Sequence, residues 1–127
     1  MHPYLSYKLL DRMTLIEGEV NSGIDFSEMY ILSYPSDIEE DIISALDSRG
    51  ELMNYPLEDQ KLQDLTMYHF GYYFSRHELT ENIEADLAGY LWIPSSAQQY
   101  LSNLRDSGEI ILIDPNKDIL VYIYYNE

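Results

Sequence analysis

A stretch of this chain recurs about 59 residues further on, and an internal repeat narrows the possible architectures more than any other property of a sequence. With Glu19 set over Glu78, Ile24 falls on Ile83, Leu32 on Leu91, Pro35 on Pro94, Ser36 on Ser95, Asp47 on Asp106 and Ser48 on Ser107. Omitting Arg49 then brings Gly50-Glu51-Leu52 over Gly108-Glu109-Ile110. The repeat divides the 127 residues into two units, 1–56 and 57–127, each too small to build a large core alone. They are therefore expected to pack as one body.

Hydrophobic spacing suggests what each unit contains. Leu5, Leu9, Met13 and Ile16 follow a helical period, so His2 to Glu17 reads as a first helix, broken by Asn21-Ser22-Gly23. Asp25 or Ser27 can cap a short second helix through Leu32. The turn Tyr34-Pro35-Ser36-Asp37 leads into a third helix running to about Ser48, with Ile38, Ile42 and Ala45 inward. Gly50 is placed to end it in a left-handed conformation, and Glu51–Tyr55 reads as a short strand closed by Pro56. The second unit has the same order: a helix from Leu57 to about Ser75, a helix from Thr80 to Leu91, and a turn at Trp92-Ile93-Pro94. A helix follows, capped by Ser95 or Ser96, with Ala97, Leu101 and Leu104 buried and Gly108 as its stop. The β-rich runs Glu109–Ile113 and Ile119–Tyr125, joined by Asp114-Pro115-Asn116-Lys117-Asp118, form a hairpin.

A hairpin placed directly after helix, turn, helix and glycine resembles the winged helix-turn-helix superfamily. The pattern is carried by Ile83, Leu87, Ala88, Ile93-Pro94-Ser95-Ser96, Leu101, Leu104 and Gly108-Glu109-Ile110, and it covers residues 80–125 more fully than residues 4–55. The resemblance implies a mainly α fold with a small β hairpin wing, built as tandem winged-helix-like units. In architecture and charge it is similar to acidic tandem winged-helix proteins such as accessory subunits of bacterial chromosome-condensation complexes. Such folds read DNA with the third helix. Its outward positions in the second unit would be Ser95, Ser96, Gln98, Gln99, Ser102, Asn103 and Arg105, supported by Lys117 of the wing. Gln, Asn and Ser can hydrogen-bond base edges, so a dimeric DNA-binding transcriptional regulator is one implied function.

Charge argues the other way. Seven Lys and Arg stand against 23 Asp and Glu, a formal net charge of −16. DNA affinity rests on several cation–phosphate contacts, and the seven bases are scattered among three times as many carboxylates. A field of this sign repels polyanions and steers basic partners. The densest acid, Asp37-Ile38-Glu39-Glu40-Asp41, falls where the first unit's reading helix would begin. Asp37, Glu39, Glu40 and Asp41 are therefore candidate contacts for a basic, nucleic-acid-handling protein. A DNA-mimicking inhibitor, a nuclease-immunity protein and an acidic subunit of a complex all fit that description. Thirteen tyrosines add a second signal. Tyr122 and Tyr124 lie on the last strand, one face of which would look outward, and tyrosine is enriched at interfaces. That strand could also pair edge to edge with a second copy.

Catalysis is not expected. His2, His69 and His77 lack metal-ligand spacing, there is no cysteine, and no Gly-rich phosphate loop or nucleophile motif occurs, so neither metal nor cofactor is anticipated. No apolar run approaches the ~20 residues of a membrane span, and the first residues lack a signal-peptide layout, so a cytoplasmic location is the expectation.

Overall fold

Strands, rather than helices, organise the chain. In a computed structural model the described residues are 5–21, 26–54, 89–94 and 107–126, together with positions 57, 58, 60, 64 and 70. They comprise α1 (Tyr7–Leu10), β1 (Thr14–Asn21), β2 (Phe26–Ser33), a 3₁₀ turn (Ser36–Ile38), α2 (Glu39–Asp47), β3 (Gly50–Asn54), β4 (Tyr90–Pro94), β5 (Ser107–Asp114) and β6 (Ile119–Asn126). All six strands join one antiparallel sheet in the order β1-β2-β6-β5-β4-β3. The mainly α, tandem winged-helix expectation is overturned by this sheet.

The centre of the sheet explains the correction. β5 and β6 form the anticipated hairpin, paired from Ser107↔Asn126 to Asp114↔Ile119. Its loop is the anticipated one, with Lys117 N–H donating to the Asp114 carbonyl and Asp118 in the left-handed region at φ 53°. The hairpin does not, however, lie as a wing against helices. β6 is flanked by β2 and β5, and both of its faces are covered. Ile111, Val121 and their neighbours are completely or nearly completely buried. A strand covered on both sides needs apolar residues at every position, hence the unbroken run Ile110–Ile113.

Alternation along the strands sends side chains to two cores. One face gathers Met29, Ile31, Leu91, Ile93, Ile110, Leu112, Val121 and Ile123, with Phe70 buried among them. The other gathers Leu32, Trp92, Ile111, Ile113, Leu120 and Tyr122 under Leu5 of the N-terminal segment and Ile38, Ile42 and Leu46 of the 3₁₀ turn and α2. Burying roughly ten side chains on each face contributes about 1.5–3 kcal/mol apiece before the conformational-entropy cost of ordering them.

The helix expected over residues 2–17 is confined to Tyr7–Leu10, capped by Ser6 Oγ, which accepts from Leu9 N–H. Leu5, Leu9 and Met13 do pack on the second face, but Ile16, fourth in the helical spacing, is 53% exposed on β1. The second expected helix, through Leu32, is β2, whose Met29, Tyr30, Ile31 and Leu32 alternate between the two cores. The expected turn at Trp92-Ile93-Pro94 is β4.

Helix α2 forms where the spacing puts it. Ile38, Ile42 and Leu46 face the sheet, with Ala45 only partly buried. Gly50 opens β3 with no left-handed backbone. A Cβ there would lie 2.2 Å from the Ile93 carbonyl oxygen and 2.5 Å from Trp92 Nε1, so close approach of the neighbouring strand is what demands glycine. The Trp92 indole N–H donates to the Leu46 carbonyl at 2.7 Å. The same carbonyl accepts from the Arg49 N–H at 3.0 Å, so the indole is its second donor and ties α2 to β4.

The two sequence units are not separate in this sheet. β2 of the first half pairs with β6 of the second, and β3 pairs with β4 across the 56/57 boundary. Aligned repeat positions part company as well: Leu32 lies in one core and Leu91 in the other. Gln60, Asp64 and Phe70 are helical, as expected of 57–75, and Gln60 Nε2 donates to Asp64 Oδ1 at 2.9 Å. Leu57 and Glu58, where that helix was expected to begin, are not helical, and the helix expected from Thr80 to Leu91 gives way to β4 at Tyr90 and Leu91. Residues 80–88, the other positions of the 57–75 helix and the expected reading helix over 95–105 lie outside the described residues. Among the described residues no helix is long and apolar enough to cross a membrane.

Candidate protein-interaction surface

With Ile38, Ile42 and Leu46 turned to the core, the opposite side of the 3₁₀ turn and α2 is settled by helical geometry. Its exposed positions are Asp37, Glu40, Asp41, Ser44, Asp47 and Ser48. They recur three and four residues apart and form a stripe of four carboxylates and two serines with no base among them. A solvated helix face ordinarily mixes signs at these spacings, because like charges four apart, such as Asp37 and Asp41, repel.

Part of this acid has a structural role. Pro35 and Ile38 stand at the N-cap positions of the 3₁₀ turn and α2, and neither supplies a side-chain cap. Glu39, Glu40 and Asp41 occupy the first turn of α2 instead, where the helix dipole favours negative charge. Asp37 forms a fork with Arg12, Nη1 to Oδ2 at 2.9 Å and Nη2 to Oδ1 at 3.1 Å. The guanidinium bonds, and to a lesser degree its charge, hold the Asp37 carboxyl below the usual carboxylate range. Both partners are exposed, at 48% and 65%, so solvent screens the pair and it contributes little to stability.

Glu39 differs from its neighbours. It is half-buried and accepts a 2.7 Å hydrogen bond from the hydroxyl of Tyr34, itself 4% exposed. Burial pushes the Tyr34 hydroxyl well above its ordinary range; the bond to Glu39 and the charges of Glu39, Asp118 and Asp114 push the same way. Tyr34 is thus a neutral donor that holds Glu39 against the end of β2. Nothing in the spacing of the sequence singled it out.

Of the six residues expected to meet a partner, Asp37, Glu40 and Asp41 stand together on the stripe and Glu39 turns inward. Tyr122 and Tyr124 are elsewhere. Tyr122 is 6% exposed and stacks with Tyr30, ring centroids 6.2 Å apart and planes 21° from parallel. Tyr124 is half-buried and packs against the same core. The expectation of an outward face on the last strand fails because β6 is interior, and for the same reason β6 has no open edge for a second copy. Among the described residues the outermost strands are β1 and β3.

Lys117 is exposed in the β5–β6 loop. Ser95, Ser96, Gln98, Gln99, Ser102, Asn103 and Arg105, the other positions expected to read DNA, lie outside the described residues. Among the described residues no group of three His, Cys, Asp or Glu is arranged to hold a metal. Comparisons with protein-family models, curated proteins and solved structures return no significant match.

Proposed function

We propose that this is a non-enzymatic binding protein that docks a basic partner on the outward stripe of α2. The observation that carries this reading is the single sign of that stripe: beyond the Asp37–Arg12 pair, Glu40, Asp41 and Asp47 share one exposed helix face with no Lys or Arg between them in the chain. The helix dipole accounts for acid in the first turn but not for Asp47 in the last, where a carboxylate is unfavourable. The surplus acid over the whole chain, net −16, extends the attraction beyond contact distance and speeds encounter with cations. Proteins that handle nucleic acid carry the complementary surface. An inhibitor, an immunity protein or an acidic subunit would each meet such a partner in this way.

The test compares two charge-matched triple variants. Glu40→Lys/Asp41→Lys/Asp47→Lys reverses the stripe, whereas Glu51→Lys/Glu58→Lys/Asp64→Lys changes net charge equally at exposed positions elsewhere. A basic protein recovered from nuclease-treated native lysate is the analyte. The stripe variant is expected to associate at least tenfold more slowly and with a flatter salt dependence, and the control to stay within about threefold of the parent. Equal losses in both would assign the attraction to diffuse charge and remove α2 as the docking element.

A further inference from the structure

The α2 side of the sheet holds a second, distinct arrangement, one row in from the Phe26–Asn126–Ser107 end of β2, β6 and β5. In the register of β2, β6 and β5, Glu28 pairs with Tyr124 and Tyr124 with Glu109. Directly paired residues of an antiparallel sheet project to one face, and Tyr124 packs on the α2 face. The two glutamates therefore flank Tyr124 in one row of that face, their backbones about 10 Å apart at two strand spacings. In the adjacent row Tyr30 stacks on Tyr122, so aromatic surface continues beside the carboxylates.

Both glutamates are half-buried. Oε2 of Glu109 is fully shielded from solvent and has no hydrogen-bond partner. Among the described residues no side-chain hydrogen bond or ion pair involves Glu28 either. A shielded carboxylate oxygen without a donor is costly, and a donor supplied by a ligand would offset that cost.

We propose that Glu28, Tyr124 and Glu109 form a binding site for a guanidinium group, the arginine side chain of a peptide or protein ligand. Guanidinium fits three features at once. Its planar fork donates paired bonds to a carboxylate, its face stacks on an aromatic ring, and its weak hydration lets it enter a half-buried site. An ammonium is more strongly hydrated and lacks the fork. The site is separate from the α2 stripe and stands or falls independently of docking there.

The test uses the full chain carrying ¹³C-labelled tyrosine rings, titrated with N-acetyl-argininamide at constant ionic strength. N-acetyl-lysinamide and calcium chloride are run in parallel. The Tyr124 ring resonance is expected to shift saturably with the arginine probe and at least threefold more weakly with the lysine probe. Glu109→Gln and Glu28→Gln should each weaken the arginine response tenfold or more, whereas Glu40→Gln/Asp41→Asn should leave it unchanged. Glu109→Gln is also expected to keep or raise the melting temperature, because it removes a shielded charge; if that variant does not fold, Glu28→Gln decides. A Tyr124 response absent with arginine, matched by lysine or calcium, or undiminished in the glutamine variants overturns the proposal. A failed α2 experiment leaves these results untouched.

Discussion

At the scale of single residues, Gly50 and Tyr34 show how tertiary contacts set requirements that local sequence rules assign differently. Gly50 stands after a helix, where glycine usually serves a left-handed cap. Here it makes room for Trp92 and for the Ile93 carbonyl. A backbone oxygen cannot swing aside as a side chain can, so Gly50→Ala must push β3 from β4. The expected cost is about 1–3 kcal/mol, as for other overpacked sites. Urea denaturation followed through Trp92, the sole tryptophan, measures it directly; an unchanged midpoint would show that the strands yield. Tyr34→Phe should cost about 1 kcal/mol, at the low end for a hydrogen bond to a charged group because Glu39 is half-exposed. The same variant carries a pH signature. The folded-state pKa of Tyr34 is raised, so its contribution is complete below the unfolded value of 10 and is lost as pH climbs beyond it. Stability of the parent should fall more steeply above pH 10 than that of Tyr34→Phe, and parallel alkaline limbs would refute the assignment. Asp37 has the opposite sign: its depressed pKa gives a contribution present above the unfolded value and lost as pH falls through the folded one.

At the scale of elements, β1 is the informative case. Among the described residues it is an outermost strand, and edges invite pairing with other chains. Its register with β2 passes from Leu15↔Leu32 to Glu17↔Ile31, so Ile16 is an inserted bulge residue. Leu15 and Ile16 are left 55% and 53% exposed at the kink. A bulge twists the strand and spoils the regular row of donors and acceptors that a second strand would need. Removal of Ile16 should straighten β1 and raise self-association, read as light scattering that grows with concentration; a monodisperse deletion variant would deny the bulge this protective role. Helix α2 carries its own prediction. Reversing Glu40 and Asp41 to Lys places cations at the positive end of the helix dipole and should cost about 0.3–1 kcal/mol per site. That loss is small enough for the kinetic comparison of the stripe variants to be made on folded protein.

At the scale of the molecule, two properties dominate. A net charge of −16 on 127 residues makes the folded state repel itself, so the melting temperature should rise as sodium chloride screens the field. A flat response from 10 to 500 mM salt would mean that the carboxylates are already compensated locally. The sheet, meanwhile, is built from pairings distant in the chain, with Met29 against Ile123 and Tyr30 against Tyr122. Bringing such segments together costs loop-closure entropy before contacts return it. Folding is therefore expected on the millisecond-to-second scale typical of non-local β topologies, which stopped-flow refolding monitored at Trp92 would establish.

The sequence by itself determined the local elements and the charge. The β5–β6 hairpin, helix α2 with Ile38 and Ile42 inward, the short β3 strand and the acidic outward face were all legible. A hairpin pairs neighbours across a short loop, and a helix bonds residues four apart, so both write their signals into nearby residues. Tertiary structure alone decided the identity of β1, β2 and β4, the strand order, and the burial of Tyr122. Short apolar segments such as Leu5–Ile16 and Phe26–Leu32 satisfy a helical period and a strand period almost equally well. For them the choice rests on backbone donors and acceptors offered by a partner strand, and for β2 that partner, β6, lies about ninety residues away. The site around Glu28, Tyr124 and Glu109 was hidden for the same reason, since register across three strands, and no spacing along the chain, brings those side chains together.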